Sequence, residues 1–191
     1  MTREGSRYPL TITVFGSSRA RPGDEDYEAA SRLGRLIAEA GWLLCNGGQD
    51  GTMEAAAMSA KAAGGHTIGV SFSRFPAART NQWLDQEIAA ETLFARLEQL
   101  VTIGDVYIVL RGGIGTLLEL CLAWNLLQTP EFASKPLVVV GSAWQRVIQL
   151  LGEELPMREW ERTTLHFVAT VDEAVDFIQK GAARLSIRPS D

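Results

Sequence analysis

Two glycine-rich loops, each set between a short apolar run and an apolar-periodic helix, constrain this chain more than any other feature. The first is Asn46-Gly47-Gly48-Gln49-Asp50-Gly51-Thr52-Met53-Glu54, and the second is Arg111-Gly112-Gly113-Ile114-Gly115-Thr116-Leu117-Leu118-Glu119. Strand, glycine loop, helix is the order of a phosphate-cradling turn in an α/β sheet. Glycine lets the backbone approach an anion closely, and the first N–H groups of the following helix have no partner within it. The helix dipole adds a partial positive charge at the same place. Each loop also puts a carboxylate, Glu54 or Glu119, early on its helix. A phosphate site beside a carboxylate points to a nucleotide or sugar-phosphate ligand.

The rest of the chain repeats the same alternation. Leu10 to Phe15 reads as a first strand, turned by Gly16-Ser17-Ser18, and Asp24 is placed to cap a helix over Tyr27 to Ala40. Trp42 to Cys45 is a short buried strand, Thr52 to Ala63 a helix stopped by Gly64-Gly65, and His66 to Ser71 a third strand. Phe72 to Asp85, carrying Arg74, Pro76 and Arg79, reads as a mobile loop, with a short strand over Glu87 to Ala90 beyond it. Helices follow over Thr92 to Ile103, Thr116 to Leu127, Trp144 to Leu151 and Val171 to Gln179. Strands fall over Asp105 to Leu110, Pro136 to Val140 and Thr164 to Val168. Strands that alternate with helices predict a doubly wound, mainly parallel sheet flanked by helices in one α/β domain. That domain is expected over residues 9–180, with a disordered start at 1–8 and a frayed tail at 181–191.

Bulk properties exclude several function classes. At 191 residues the chain is long enough for one α/β domain with a full core. A net charge of −5 argues against broad nucleic-acid binding, which needs a basic face. No apolar run reaches the roughly 20 residues that cross a bilayer. Met1 to Pro9 is polar and charged, unlike a secretory signal, so a cytoplasmic protein is expected. Cys45 and Cys121 form no disulfide framework, and both are expected to be buried free thiols. His66 and His166 lack metal-ligand spacing and read as structural, so neither a metal nor another cofactor is expected. The first turn, Gly16 to Arg21, lacks G-x-G-x-x-G, and neither glycine loop ends in Gly-Lys-Ser/Thr. A standard dinucleotide site and a P-loop are both disfavoured.

Between the two loops, the second is the better anion site. Gly112, Gly113 and Gly115 precede Thr116, whose hydroxyl can add a donor, and Arg111 adjoins them. Asp50 in the first loop would repel a phosphate at close range. Gly47 and Gly48, with Ser17 and Ser18, are therefore expected on the sugar or base side of the ligand. Other readings stay open. Thr116 alone is also a good helix cap, Glu119 and Glu54 also suit the helix dipole, and Ser17 and Ser18 also suit a plain turn.

With these residues in view, Gly112-Gly113-Ile114-Gly115-Thr116-Leu117-Leu118-Glu119 resembles the P-G-G-x-G-T-x-x-E signature of the LOG (Lonely guy) family, formerly mislabelled lysine decarboxylases. Phe15-Gly16-Ser17-Ser18, the first glycine loop, Gly64-Gly65 with Gly69-Val70, and Asp105 fit the same pattern. Arg96 stands 16 residues before Gly112, at the spacing of that family's functional arginine. The resemblance covers residues 10–150 and implies a Rossmann-like homodimer acting on a nucleoside monophosphate-like molecule. The activity it implies is hydrolysis of the N-glycosidic bond of cytokinin riboside 5′-monophosphates. It implies Arg96 and Glu119 as the catalytic pair and Gly113, Gly115 and Thr116 as phosphate ligands.

The departures from that signature matter. Arg111 stands where the family has proline, Leu97 where it has lysine, Leu93 where it has methionine, and Gln49 where a third glycine is usual. Arg111 at the mouth of the site can replace the cation lost at Leu97, or it can be a solvent-facing or ion-paired side chain. The departures keep open a non-catalytic alternative, a nucleotide or molybdenum-cofactor carrier of similar fold. A homodimer is expected from the helices after the loops, which expose apolar residues on several faces: Met53, Ala56, Ala57, Leu117, Leu120, Leu122 and Trp124.

Overall fold

The computed structural model describes residues 8–72 and 79–185. All of the expected disordered start but Tyr8, and part of the expected mobile loop, fall outside these residues, as does the end of the tail. The strands are β1 (Thr11–Phe15), β2 (Leu43–Asn46), β3 (Thr67–Ser71), β4 (Gln86–Ala89), β5 (Val106–Val109), β6 (Leu137–Val140) and β7 (His166–Val168). The helices are α1 (Glu25–Glu39), α2 (Thr52–Ala62), α3 (Leu93–Ile103), α4 (Ile114–Leu126), α5 (Ser142–Glu154), α6 (Glu159–Thr163) and α7 (Val171–Leu185). The strands form one sheet in the order β4-β3-β2-β1-β5-β6-β7. Every pairing is parallel, as the strand–helix alternation predicts.

The central strands are apolar on both faces because helices cover both. Along β1, Ile12 and Val14 pack with α1, α2 and α7, together with Leu44, Ile108 and Val138. Phe15 turns to the other face, with Tyr107, Val109, Val139 and the inner sides of α3, α4 and α5. Each large side chain fully buried this way contributes about 1.5–3 kcal/mol relative to exposure. Polar groups in the core are satisfied: the Thr13 hydroxyl donates to the Leu100 carbonyl at 3.1 Å, and Asp105 accepts from the Thr11 amide at 2.8 Å. Asp105 thus ties the start of β5 to the start of β1, at the end of the sheet opposite the glycine loops.

Three sequence readings need correction. Cys45 is buried, but Cys121 is exposed. The face of α4 that meets the sheet runs through Thr116, Leu120, Ala123 and Trp124, while Cys121 shares the outer stripe with Ile114 and Leu118. Apolarity all round the helix hid which side faced inward. The last helix, expected over Val171 to Gln179, runs on to Leu185. Finally, α6 has no counterpart in the pattern. Five residues, with Trp160 the one apolar side chain, are too few to show periodicity, and α6 is tied to α4 by the Trp124 indole donating to the Glu161 carbonyl at 2.6 Å.

Candidate functional site

The sheet winds one way from β1 through β2 and the other way from β5 through β6, so the loops after β1 and β5 part toward opposite faces. A crevice opens there, at the carboxyl ends of the strands, where ligands of open α/β sheets bind. It is a cavity of about 460 Å³, within the usual range for small-molecule sites. Its walls come from Gly16, Ser17 and Ser18 after β1, from Gln49, Asp50 and Met53 at the start of α2, and from Gly113 to Thr116 at the start of α4. Arg96 and Glu119 also line it, as do Arg19, Arg21 and Arg79.

Arg96 and Glu119, from α3 and α4, are both buried, and Arg96 Nη1 donates to Glu119 Oε1 at 3.1 Å. Two carbonyls hold the rest of the guanidinium. Nε donates to Val70 O at 2.9 Å and Nη2 to Gly47 O at 3.3 Å. A buried charge needs such partners, since desolvation otherwise outweighs its attraction to one carboxylate. Gly47 makes this seat possible: a Cβ there would lie 1.9 Å from Arg96 Nη2. Burial pushes the Glu119 carboxyl above its ordinary pKa, against the downward pull of Arg96.

The two glycine loops differ in what their amides do. In the first, Gly51 caps α2 at φ +73°, and the Thr52 amide is spent on the Ser17 carbonyl at 2.8 Å. The Gly48 amide donates to Asn46 Oδ1 at 2.8 Å, and the Gly48 carbonyl accepts from the Asn81 amide at 2.8 Å. In the second, α4 bonding begins with the Leu117 amide donating to Gly113 O at 2.9 Å, which leaves Ile114, Gly115 and Thr116 without intrahelical acceptors. A Cβ on Gly113 or Gly115 would meet nothing within 4 Å. The Thr116 hydroxyl, read from the sequence as an added donor to the anion, donates instead to Gly16 O at 3.0 Å. It pins the turn after β1 to the start of α4, and Gly112 leaves room for it, since a Cβ there would lie 2.1 Å from Thr116 Oγ1.

The predicted site residues therefore separate into two groups. Ser17, Ser18, Arg96, Gly113, Gly115, Thr116 and Glu119 meet around one cavity. Gly47, Gly48, Gly112 and Arg111 do not line it. The first three shape the scaffold behind it. Arg111 is 69% exposed, with its guanidinium 3.7 Å from Asp26 on α1, in the ion-paired arrangement left open by the sequence. The sequence reading missed Arg19, Arg21 and Arg79 as lining residues. The signal available was the Arg19-Ala20-Arg21 alternation directly after the first turn. Neither histidine lines the cavity.

Residues 9–164 match the model of the SLOG cluster4 family. The chain belongs to that family. Within it, this SLOG cluster4 member is 38% identical over 134 residues to a protein of Archaeoglobus fulgidus, spanning 69% of this chain and 85% of that one. It is 37% identical over 121 residues to a Mycobacterium tuberculosis protein named cytokinin riboside 5′-monophosphate phosphoribohydrolase. That match covers 59% of this chain and 61% of the mycobacterial one. The solved molybdenum cofactor binding protein of Rippkaea orientalis superposes with a TM-score of 0.73 at 27% identity. It covers 92% of this chain and 98% of its own. The chain is thus a divergent member of the LOG and SLOG grouping with a Rossmann-like fold. Among the described residues no helix is long and apolar enough to cross a membrane.

Proposed function

We propose that this protein hydrolyses the N-glycosidic bond of a nucleoside 5′-monophosphate, releasing the base and ribose 5-phosphate. One observation carries the reading: a buried carboxylate, fixed by a buried arginine, shares a cavity with a helix start whose amides are open. The 5′-phosphate binds the backbone N–H groups from Gly113 to Thr116, where the dipole of α4 favours it. Cleavage of the bond from C1′ to the base nitrogen builds positive charge on the sugar. Glu119 stabilises that charge and orients a water molecule whose oxygen bonds to C1′. One water proton ends on the departing base nitrogen, and the other stays with the new sugar hydroxyl. Arg96, with donors on Val70, Gly47 and Glu119, acts chiefly by holding that carboxylate in place.

Ser17, Ser18 and Met53 face the rest of such a ligand. The name of the mycobacterial relative supports this substrate class. The test is incubation of the pure protein with AMP and with isopentenyladenosine monophosphate, followed by assay of free base. Base release by the wild type, and its loss by roughly 10²–10⁴-fold in Glu119→Gln, is the expected outcome. Turnover that persists in Glu119→Gln, or no release from either nucleotide, overturns the reading.

A second reading is a carrier that binds a phosphate-bearing cofactor without chemistry. The Rippkaea orientalis likeness over nearly the whole chain favours it, as do the three further arginines in the cavity. Ligand that copurifies intact, with no product formed from it, would decide for the carrier. In either reading we place the protein in the cytoplasm, where free thiols such as exposed Cys121 persist.

We further propose a homodimer, although on other residues than the sequence suggested. Met53, Ala56, Ala57, Leu120 and Trp124 are buried within the chain, and Leu117 and Leu122 pack against its core. Among the exposed apolar side chains, Phe94 on α3 at 84% exposure and Ile114 and Leu118 on α4 at 81% and 43% are the ones we assign to a second copy. A monomer mass by light scattering at micromolar concentration would contradict this.

A further inference from the structure

We infer that the cavity takes a ligand with two linked phosphoryl groups, the second held by Arg19 and Arg21. This rests on the proposed phosphate position at the start of α4 and extends it. Arg96 is committed to Glu119 and to two carbonyls. The other charged residues lining the cavity are Arg19, Arg21, Arg79 and Asp50. No carboxylate lies within ion-pair distance of the three arginines among the described residues. Three unpaired guanidinium groups facing one carboxylate and an electropositive helix start form a strongly cationic cavity in a chain of net charge −5. Two exposed arginines away from the cavity, Arg32 and Arg111, do have carboxylate partners, Asp172 and Asp26.

Position separates the two anion sites. The turn after β1 touches the start of α4 at Gly16, whose carbonyl accepts from Thr116. One residue later it touches the start of α2, where Ser17 O accepts from the Thr52 amide. The chain then reaches Arg19 and Arg21 beyond this crossing, on the way to α1. Its backbone is fixed there: the Arg19 amide donates to Ser17 Oγ at 3.1 Å and the Arg21 amide to Asp24 Oδ2 at 2.7 Å. Ala20 between them is buried in the core, so the two arginines stand together on the cavity side of an ordered segment. A phosphate on the α4 amides already has donors for its oxygens. Arg19 and Arg21, which line the same cavity, are then available to a second phosphoryl group linked to the first, and guanidinium forks suit such oxygens in geometry and charge.

The test is calorimetry of inorganic phosphate, inorganic pyrophosphate, AMP and ADP with the wild type, with the double variant Arg19→Gln/Arg21→Gln and with Arg35→Gln. Arg35 is exposed on α1 and does not line the cavity, so its variant measures nonspecific attraction. The wild type and Arg35→Gln should bind pyrophosphate and ADP at least roughly tenfold more tightly than phosphate and AMP, the worth of one charged hydrogen bond. In the double variant both preferences should fall to within about threefold, on the same reasoning. Equal affinities in the wild type, preferences unchanged in the double variant, or an equal loss in Arg35→Gln overturns the inference. AMP hydrolysis without preference for ADP sinks this inference alone. A pyrophosphate preference without base release sinks the hydrolase reading alone. No binding of any of the four anions sinks both.

Discussion

The two glycine loops look alike in sequence and serve different ends in the structure. Gly47 to Thr52 is wired into the protein on every side: to Arg96, to Asn46, to Asn81 and to Ser17. Gly113 to Thr116 makes fewer bonds to the protein and leaves open space around its glycines. The first loop's glycines are there because neighbouring protein atoms come close. The second loop's exposed glycines, Gly113 and Gly115, are there with nothing of the protein close to them. Glycine therefore signals a close approach, and only the account of hydrogen bonds and neighbours tells whether the protein itself or a ligand fills the space.

Substitutions can break or sharpen this contrast. The largest expected effect is on stability, in the first loop. A Cβ on Gly51 would lie 2.3 Å from the Ser17 carbonyl oxygen, at a positive φ. Gly51→Ala should cost about 2–4 kcal/mol in chemical denaturation, from strain and overpacking together. A variant as stable as the wild type would mean that this loop is not the scaffold described here. Next is Gly115→Val, whose side chain enters open space. It should weaken phosphate binding by roughly 10–100-fold, the loss of one or two charged hydrogen bonds. Its stability should stay within about 1 kcal/mol of wild type. Unchanged phosphate affinity by calorimetry would remove the anion from this loop.

A smaller effect concerns pH. Glu119 has a raised pKa in the folded protein, against about 4.3 unfolded. Between these values the folded state holds a proton that the unfolded state has lost, so this group makes stability fall as pH rises. Glu119→Gln removes that titration. Denaturation measured across the acid range should show the variant gaining on the wild type as pH rises. A difference that is flat with pH, or of opposite slope, would contradict the raised pKa. The smallest effect is expected from Arg111→Ala, since an exposed pair at 3.7 Å contributes little. Phosphate affinity should stay within about twofold, and a larger loss would return Arg111 to the site.

Most of the fold was legible because its signals are local. Apolar runs, helix periods and glycine stops recur along the chain, and they locate every strand of the sheet to within a residue or two. The pairing of Arg96 with Glu119 joins two different helices, so only the family resemblance could suggest it before the structure showed their contact at 3.1 Å. Side-chain direction was the weakest inference. Arg111 adjoins the anion loop in sequence yet reaches Asp26, while Arg19 and Arg21 looked like turn residues yet line the cavity. The alternation that aims them depends on Ala20 being buried, which is a tertiary fact. Likewise, nothing local shows that the Thr116 hydroxyl is taken by Gly16, a hundred positions away in the chain.

On our proposal the open amides of the second loop, and not the similar first loop, receive the anion. A crystal structure of the protein with AMP tests it most directly. Phosphate oxygens are expected within hydrogen-bond reach of the Gly115 and Thr116 amides, with the sugar toward Glu119. A phosphate seated on Gly48 to Thr52 instead would contradict it.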